Sequence, residues 1–410
     1  MSDIDSELGL RLEDLRTQGL HRQLRRVDSP QHSRVTMGGL ERINFSSNDY
    51  LGLANHPLLK EAAIRAVEQY GVGSGASRLV CGSLAPHHQL EEAIAAFKQT
   101  ESALSFSSGY ATATGAVCAL VRKGDVVVLD KLIHACLIDA ARLSGATVRV
   151  FKHNDLSDLE AILIWAKAEQ QKTTETAADP LHRPQILIVT ESVFSMDGDL
   201  APLRDIVELK ERYGAWLMVD EAHGTGLFGE HRRGVIEAME VTGRVEIQMG
   251  TLGKAIGAAG GYIAGSRVLI DWLINRARSF IFSTAPAPAA AAAATAALQL
   301  IGSGEGEDRR LALWARVNRM KDLVIGRGWE LPAVQSAILP LRVGAEDQAV
   351  GFSRDLYDRG ILIPAIRYPT VARGKARLRL TASASHSWDE IDHLDAALAT
   401  LEPLRAQLKD

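Results

Sequence analysis

The run Gly250-Thr251-Leu252-Gly253-Lys254-Ala255-Ile256-Gly257 sets a lysine among small residues. Lysines rarely enter such loops for packing, and a surface lysine usually has polar neighbours. Upstream, Trp216-Leu217-Met218-Val219-Asp220 reads as a strand that ends in an acid, and His223 follows three residues later. Val245–Met249 reads as the next strand and leads into the lysine loop. Lysine and acid are therefore expected at one carboxyl edge of a parallel sheet, where open α/β sheets bind ligands. Pyridoxal 5′-phosphate (PLP) needs an amine for an imine, a carboxylate that keeps its pyridine nitrogen protonated, and donors around its phosphate. Lys254 suits the first role and Asp220 the second. Thr251, read as one helical turn before Lys254, has a hydroxyl to offer. Ser107-Ser108-Gly109-Tyr110 opens an alanine-rich helix, and helix N-termini bind phosphate. His134, beyond a strand that ends at Asp130, is placed to lay its ring on a cofactor face. Each residue alone has a plainer reading, as a helix cap or an ordinary polar contact; the combination carries the inference.

These residues need a scaffold. Between about residues 46 and 265, short β-rich runs alternate with helical patterns. The predicted strands are Ala103–Phe106, Val126–Asp130, Thr147–Phe151, Ile186–Thr190, Trp216–Asp220, Val245–Met249 and Gly261–Ala264. Helices are expected at Pro86–Lys98, Gly109–Leu120 and Pro202–Tyr213. Several strands are apolar on both faces, which predicts an α/β fold with a mostly parallel sheet covered by helices on both sides. Residues 1–45 read as an N-terminal arm with a helix near Glu7–Leu20, residues 46–285 as the large α/β domain, and 286–410 as a smaller C-terminal α+β domain. In the last, strands are expected at Ala337–Arg342, Ile361–Ile366 and Arg377–Thr381, and Ser387-Trp388-Asp389-Glu390 predicts a capping box. Ala166–Pro184 is polar, holds two prolines, and reads as a surface insertion.

Two other motifs fail on context. Gly224-Thr225-Gly226-Leu227-Phe228-Gly229 fits a dinucleotide fingerprint, yet Phe228–Gly234 is a poor helix and the fingerprint needs a helix N-terminus. Asp220-Glu221-Ala222-His223 spells a helicase box. The required P-loop is absent, because Gly253-Lys254 is followed by alanine and lies after the box. The chain has 410 residues and a formal net charge of −4 with both signs interspersed, which argues against nucleic acid as a main partner. Cys81, Cys118 and Cys136 form no metal pattern, so no metal is expected. Their odd number and the lack of a signal peptide point to the cytoplasm. The alanine-rich run Ala285–Ile301 is interrupted by Pro286 and Pro288 and is expected to be a helix outside any membrane.

The chain resembles the α-oxoamine synthases, fold-type I PLP enzymes that condense amino acids with acyl thioesters. The matching stretches include Asn44-Phe45-Ser46-Ser47-Asn48-Asp49-Tyr50-Leu51-Gly52-Leu53, Phe194-Ser195-Met196-Asp197-Gly198-Asp199 and Val219-Asp220-Glu221-Ala222-His223-Gly224. They continue through Ala365-Ile366-Arg367-Tyr368-Pro369-Thr370-Val371 to Ala376–Thr381. The resemblance implies that Lys254 carries PLP and moves the Cα proton, and that Asp220 pairs with the ring nitrogen. It implies that His223 and Ser195 bond the ring hydroxyl, while His134 and Ala222 cover the two ring faces. Ser108, Gly109, Tyr110 and Thr251 would hold the phosphate, with Ser283 and Thr284 reaching it from a partner copy in a homodimer. Arg379 and Asn48 would meet the amino acid, as would His134; Arg377 shares a strand face with Arg379. Arg22 and Thr370 would contact the acyl donor, with Arg25 and Arg26 competing for Arg22's part. L-Alanine and a pimeloyl thioester, on coenzyme A or on acyl carrier protein, are the implied substrates; glycine with a short acyl-CoA is the alternative.

Overall fold

A computed structural model describes residues 3–176, 183–331 and 334–401. The chain divides into two compact units, one of residues 48–195 and 199–312, the other of 1–47, 196–198 and 313–410.

The larger unit is built on seven strands: β1 Ser102–Phe106, β2 Val126–Asp130, β3 Thr147–Phe151, β4 Ile186–Glu191, β5 Trp216–Asp220, β6 Ile247–Thr251 and β7 Gly261–Gly265. Their order in the sheet is β1-β7-β6-β5-β4-β2-β3. All pairings are parallel except the two made by β7. Side chains alternate along a strand, so each strand feeds two layers. Val127, Leu129, Leu187, Val189 and Met218 pack with Ala113, Ala116 and Val117 of helix Gly109–Leu120 and with Leu137 and Ala141 of helix Ala135–Ser144. Val126, Val128, Ile186, Ile188, Leu217 and Val219 pack on the other face against Leu159 and Leu163 of helix Leu156–Thr176 and Leu203, Ile206 and Val207 of helix Leu203–Tyr213. Burial on both faces explains why these strands are continuously apolar. Each fully buried Val, Leu or Ile contributes about 1.5–3 kcal/mol of transfer free energy.

The smaller unit has two three-stranded sheets. Arg34–Met37 pairs with Leu40–Asn44, which pairs in parallel with Ile361–Leu362; Ala376–Thr381 lies between Ile338–Gly344 and Ala365–Ile366. Ser387 and Glu390 form the expected capping box of helix Trp388–Ala399.

Four local expectations are revised. Helix Leu156–Thr176 runs through much of the expected insertion, since Ala166 is fully buried and both prolines come later; residues 177–182 lie outside the described ones. The expected strand Ile361–Ile366 is two short strands in different sheets, because Pro364 has no N–H for a ladder. The arm helix runs from Asp3 to Thr17. The strand before Lys254 lies two residues later than expected, so Thr251 ends β6 rather than opening a helical turn.

Candidate active site

Parallel strands β4, β5 and β6 end side by side, and each delivers a polar residue to the carboxyl edge: Glu191, Asp220 and Thr251. The β4–β5 register pairs Glu191 with Asp220. Asp220 is 5% exposed, and its Oδ1 accepts the Ala222 N–H at 2.9 Å. Burial raises its carboxyl above the usual range, and the Lys254 ammonium works against that rise. Among the described residues Asp220 makes no ion pair within 4 Å. A buried carboxylate of this kind is stabilised by a cation or charged N–H placed against it.

Lys254 follows in the loop after β6. Its Nζ lies 2.8 Å from His223 Nε2, and His223 Nδ1 lies 2.6 Å from the Tyr50 hydroxyl. The three segments that carry these groups pack closely because their turns contain glycine. A β-carbon on Gly257 (φ +69°) would come within 2.6 Å of Ala54 N, and one on Gly226 (φ +88°) within 3.3 Å of Leu51 Cδ1. The Gly224–Gly229 run is thus a turn of close approach, followed by no helix until the short one at Val235–Ala238. Glu221 of the same turn is structural: it is fully buried, pairs with Lys98 Nζ at 2.6 Å, and accepts the Ile236 N–H.

His134 is the N-cap of helix Ala135–Ser144, its Nδ1 accepting the Cys136 N–H at 3.2 Å. Burial and then the Lys254 charge lower its pKa, which favours a neutral ring with the remaining proton on Nε2. Glu191 is 2% exposed, and its Oε1 has no hydrogen-bond partner. Burial, then Asp220, push its pKa up to about 8, against the backbone N–H groups of His134 and Ser195. Ser195 and Ala222 are buried nearby in the chain turns that follow β4 and β5.

Ser108 caps helix Gly109–Leu120 through the Ala111 N–H. Gly109 opens that helix, and a β-carbon there would lie 3.8 Å from Thr251 Oγ1. Thr251 Oγ1 thus lies beside the start of that helix, where its hydroxyl donates to the Gly260 carbonyl at 3.1 Å; a helix N-terminus suits a phosphate. Tyr110 is exposed and donates to Asp139 Oδ2 at 3.0 Å. Thr284 is exposed and forms a bridge with Ser77; Ser283 donates to the Thr284 carbonyl. Asn48 Oδ1 accepts from the Tyr50 hydroxyl at 3.3 Å. The larger unit thus brings together Lys254, Asp220, His223, His134, Asn48, Gly109 and Thr251. An aldehyde, a basic ring nitrogen and a phosphate each find a matching group here.

Arg22, Thr370 and Arg379 belong to the smaller unit. Arg379 is 5% exposed, and its Nη1 donates to Thr381 Oγ1. Arg377 on the same strand is committed to Asp197 at 2.6 Å and to the Met196 carbonyl. Of the three arm arginines, Arg25 lies over the Tyr357 ring and Arg26 pairs with Asp28, while Arg22 is exposed. Arg367 Nη2 donates to the His21 carbonyl, which ties the arm beside Arg22 to the turn that holds the exposed Thr370.

Sequence reasoning assigned no role to Tyr50 or Glu191. Glu191 ends an apolar strand as Asp220 does, a signal legible in the sequence. Tyr50 gave none, since its contact with His223 spans 173 positions. A supporting cluster was also missed: His153 lies 3.0 Å from Asp130 and 2.7 Å from Asp199.

The sheet, its covering helices and the lysine–aspartate edge define the fold of the fold-type I PLP-dependent transferases. Residues 41–398 match the family model for aminotransferase class I and II, and the chain belongs to that family. An 8-amino-7-oxononanoate synthase of Geotalea daltonii is 49% identical over 391 residues, 95% of this chain and 96% of the relative. Among solved structures, SPT with a PLP internal aldimine superposes with a TM-score of 0.88 at 26% identity, covering 98% of each chain. The 8-amino-7-oxononanoate synthase of Francisella tularensis gives 0.74 at 26% identity over 89% of this chain and 99% of that one.

Proposed function

We propose that the chain condenses L-alanine with a pimeloyl thioester, using PLP, to give 8-amino-7-oxononanoate, carbon dioxide and the free thiol, a step of biotin biosynthesis. The observation that carries the chemistry is Lys254 Nζ held 2.8 Å from His223 beside the buried, raised-pKa Asp220. The substrates are supported by a relative of that name that is 49% identical over nearly the whole chain.

PLP supplies an electron sink for negative charge at the amino-acid Cα. Lys254 would hold it through Nζ, and its amine, when free, would be the base placed to move the Cα proton. Asp220 keeps the ring nitrogen protonated; His223 and Ser195 hold the ring hydroxyl. Neutral His134 and Ala222 would cover the ring without adding charge, and His134 would keep its Nε2–H as a donor. Ser108, Gly109, Tyr110 and Thr251 hold the phosphate, joined by Ser283 and Thr284 of a second copy in a homodimer. From the family resemblance, Arg379 and Asn48 are each assigned to the amino acid, and Arg22 and Thr370 to the acyl donor. Arg22 is preferred to Arg25 and Arg26 because those two are engaged elsewhere. The thiol carrier is coenzyme A or acyl carrier protein, and the reaction is cytoplasmic.

The test is a panel of amino acids and thioesters followed by thiol release and carbon dioxide evolution. Alanine with pimeloyl thioester is expected to be the fastest pair. Faster turnover of glycine with a short acyl-CoA, or of serine with a long acyl chain, would overturn the substrate assignment and leave the PLP chemistry standing.

A further inference from the structure

Tyr50 is 1% exposed and sits between Asn48 and His223 in a chain that runs Asn48 Oδ1, Tyr50 hydroxyl, His223 Nδ1, His223 Nε2, Lys254 Nζ, with separations of 3.3, 2.6 and 2.8 Å across its three contacts. The turn that carries it is anchored, because Asp49 accepts the Leu53 N–H at 2.7 Å and the Ala54 N–H at 3.1 Å. Gly257 brings the lysine loop against that same turn. The phenol is therefore fixed relative to the imidazole and the amine.

We propose that Tyr50 is a positioning residue that sets which nitrogen of His223 carries the proton, and thereby whether His223 receives the Lys254 amine or donates to an oxygen beside it. A neutral imidazole has one donor and one acceptor nitrogen, and the group at one nitrogen decides the role of the other. When the phenol donates to Asn48 Oδ1, its oxygen accepts from Nδ1–H, and bare Nε2 accepts from Lys254 Nζ. When the phenol turns its O–H to Nδ1, the ring proton is on Nε2 and is available to an anionic oxygen. The two forms hold the same protons, one on the phenol and one on the imidazole, exchanged through water. A hydroxyl suits this task because it donates or accepts by rotation alone. Asp220, Glu191 and His134 are the titratable groups around Lys254, with Cys136 behind His134, and the test leaves all of them in place.

The inference rests on Lys254 being the amine that holds PLP, and its test has one arm that needs no cofactor. Nitrogen-15 resonances of the His223 ring in the cofactor-free protein are expected to report a proton on Nδ1. After PLP is bound they are expected to report it on Nε2. In Tyr50→Phe, where Nδ1–H has lost its acceptor, the share of the Nδ1–H form in the cofactor-free protein is expected to fall. The pH midpoint of the visible absorbance change of the PLP-loaded variant should move by about one unit, as the loss of one hydrogen bond to a charged system implies. Introduced into a His223→Asn background, Tyr50→Phe should move that midpoint no further. An unchanged His223 tautomer on loading, a ring protonated at both nitrogens in both states, or a variant midpoint that superposes on the wild type would overturn the proposal. Should Tyr50→Phe fold poorly, the wild-type nitrogen-15 comparison decides alone. Failure of PLP to bind would count against the proposed function, whereas the cofactor-free tautomer would still report on Tyr50.

Discussion

The groups proposed for bond making and those proposed for choosing the acyl donor occupy opposite kinds of surroundings. Asp220, His223 and Tyr50 are buried, and the chain from Asn48 to Lys254 links three separate turns that pack closely at Gly226 and Gly257. Arg22 and Thr370 are exposed, in an arm segment without regular structure and in a turn. In a water-excluded setting, position and electrostatics count for more, and a misplaced charge is costly. At an exposed site, salt and water dilute each contact and several side chains can do similar work. On the proposed roles, the difference teaches that the chemistry is specified strongly and the acyl selectivity weakly.

Substitution is the way to break that contrast. Lys254→Ala is expected to lower turnover by about 10⁴-fold or more, since it removes both the attachment and the proton carrier; borohydride should no longer fix PLP to the chain. Retained turnover would dissolve the contrast. Arg379→Ala is expected to raise KM for alanine by about 10–100-fold, the size of a lost charge-assisted pair. Arg377→Ala should instead lower stability, because it takes from Asp197 its shorter ion pair and leaves, among the described residues, only the 3.4 Å contact with Arg342. If the two exchange these phenotypes, the carboxylate site is Arg377. Arg22→Ala is expected to raise KM for the acyl donor by about 2–5-fold, less at higher salt, as befits an exposed contact. A larger effect from Arg26→Ala would move the acyl contact along the arm.

The smallest effect concerns support rather than contact. His153 is held between Asp130 and Asp199; burial alone would lower its pKa, but hydrogen bonds to Asp130 and then Asp199 raise it to about 10. A pKa above the unfolded value near 6.5 means the imidazolium stabilises the fold fully below that value, and the stabilisation fades as pH rises toward about 10. His153→Asn should therefore lower Tm by a few degrees at pH 6, with the gap closing by pH 10. A gap that is independent of pH would show that His153 acts by packing alone.

Much of the scaffold was legible. The runs that became β2, β4 and β5 are apolar throughout because helices cover both of their faces, and that pattern survives in any single sequence. Asp220 and Lys254 stood out because a charge beside an apolar run or among glycines is locally anomalous. The strand expected across Ile361–Ile366 was misread because pattern alone does not say which sheet a residue joins. The Gly224–Gly229 run is followed by no helix of the kind a nucleotide fingerprint needs, and the close approach of Gly226 to Leu51 and Ala255 was invisible until those segments were in place.

The sequence by itself determined the α/β alternation, the lysine and the acid at one sheet edge, and a resemblance strong enough to imply PLP. Those are local properties: periodicity, small-residue loops and short motifs. Only the tertiary structure decided that Arg377 is spent on Asp197, that Arg25 and Arg26 are engaged while Arg22 is exposed, and that Tyr50 stands behind His223. Except for the Arg26–Asp28 pair, such facts depend on contacts between positions more than a hundred residues apart, where distance and burial set the energy and neighbouring residue types carry no trace of it.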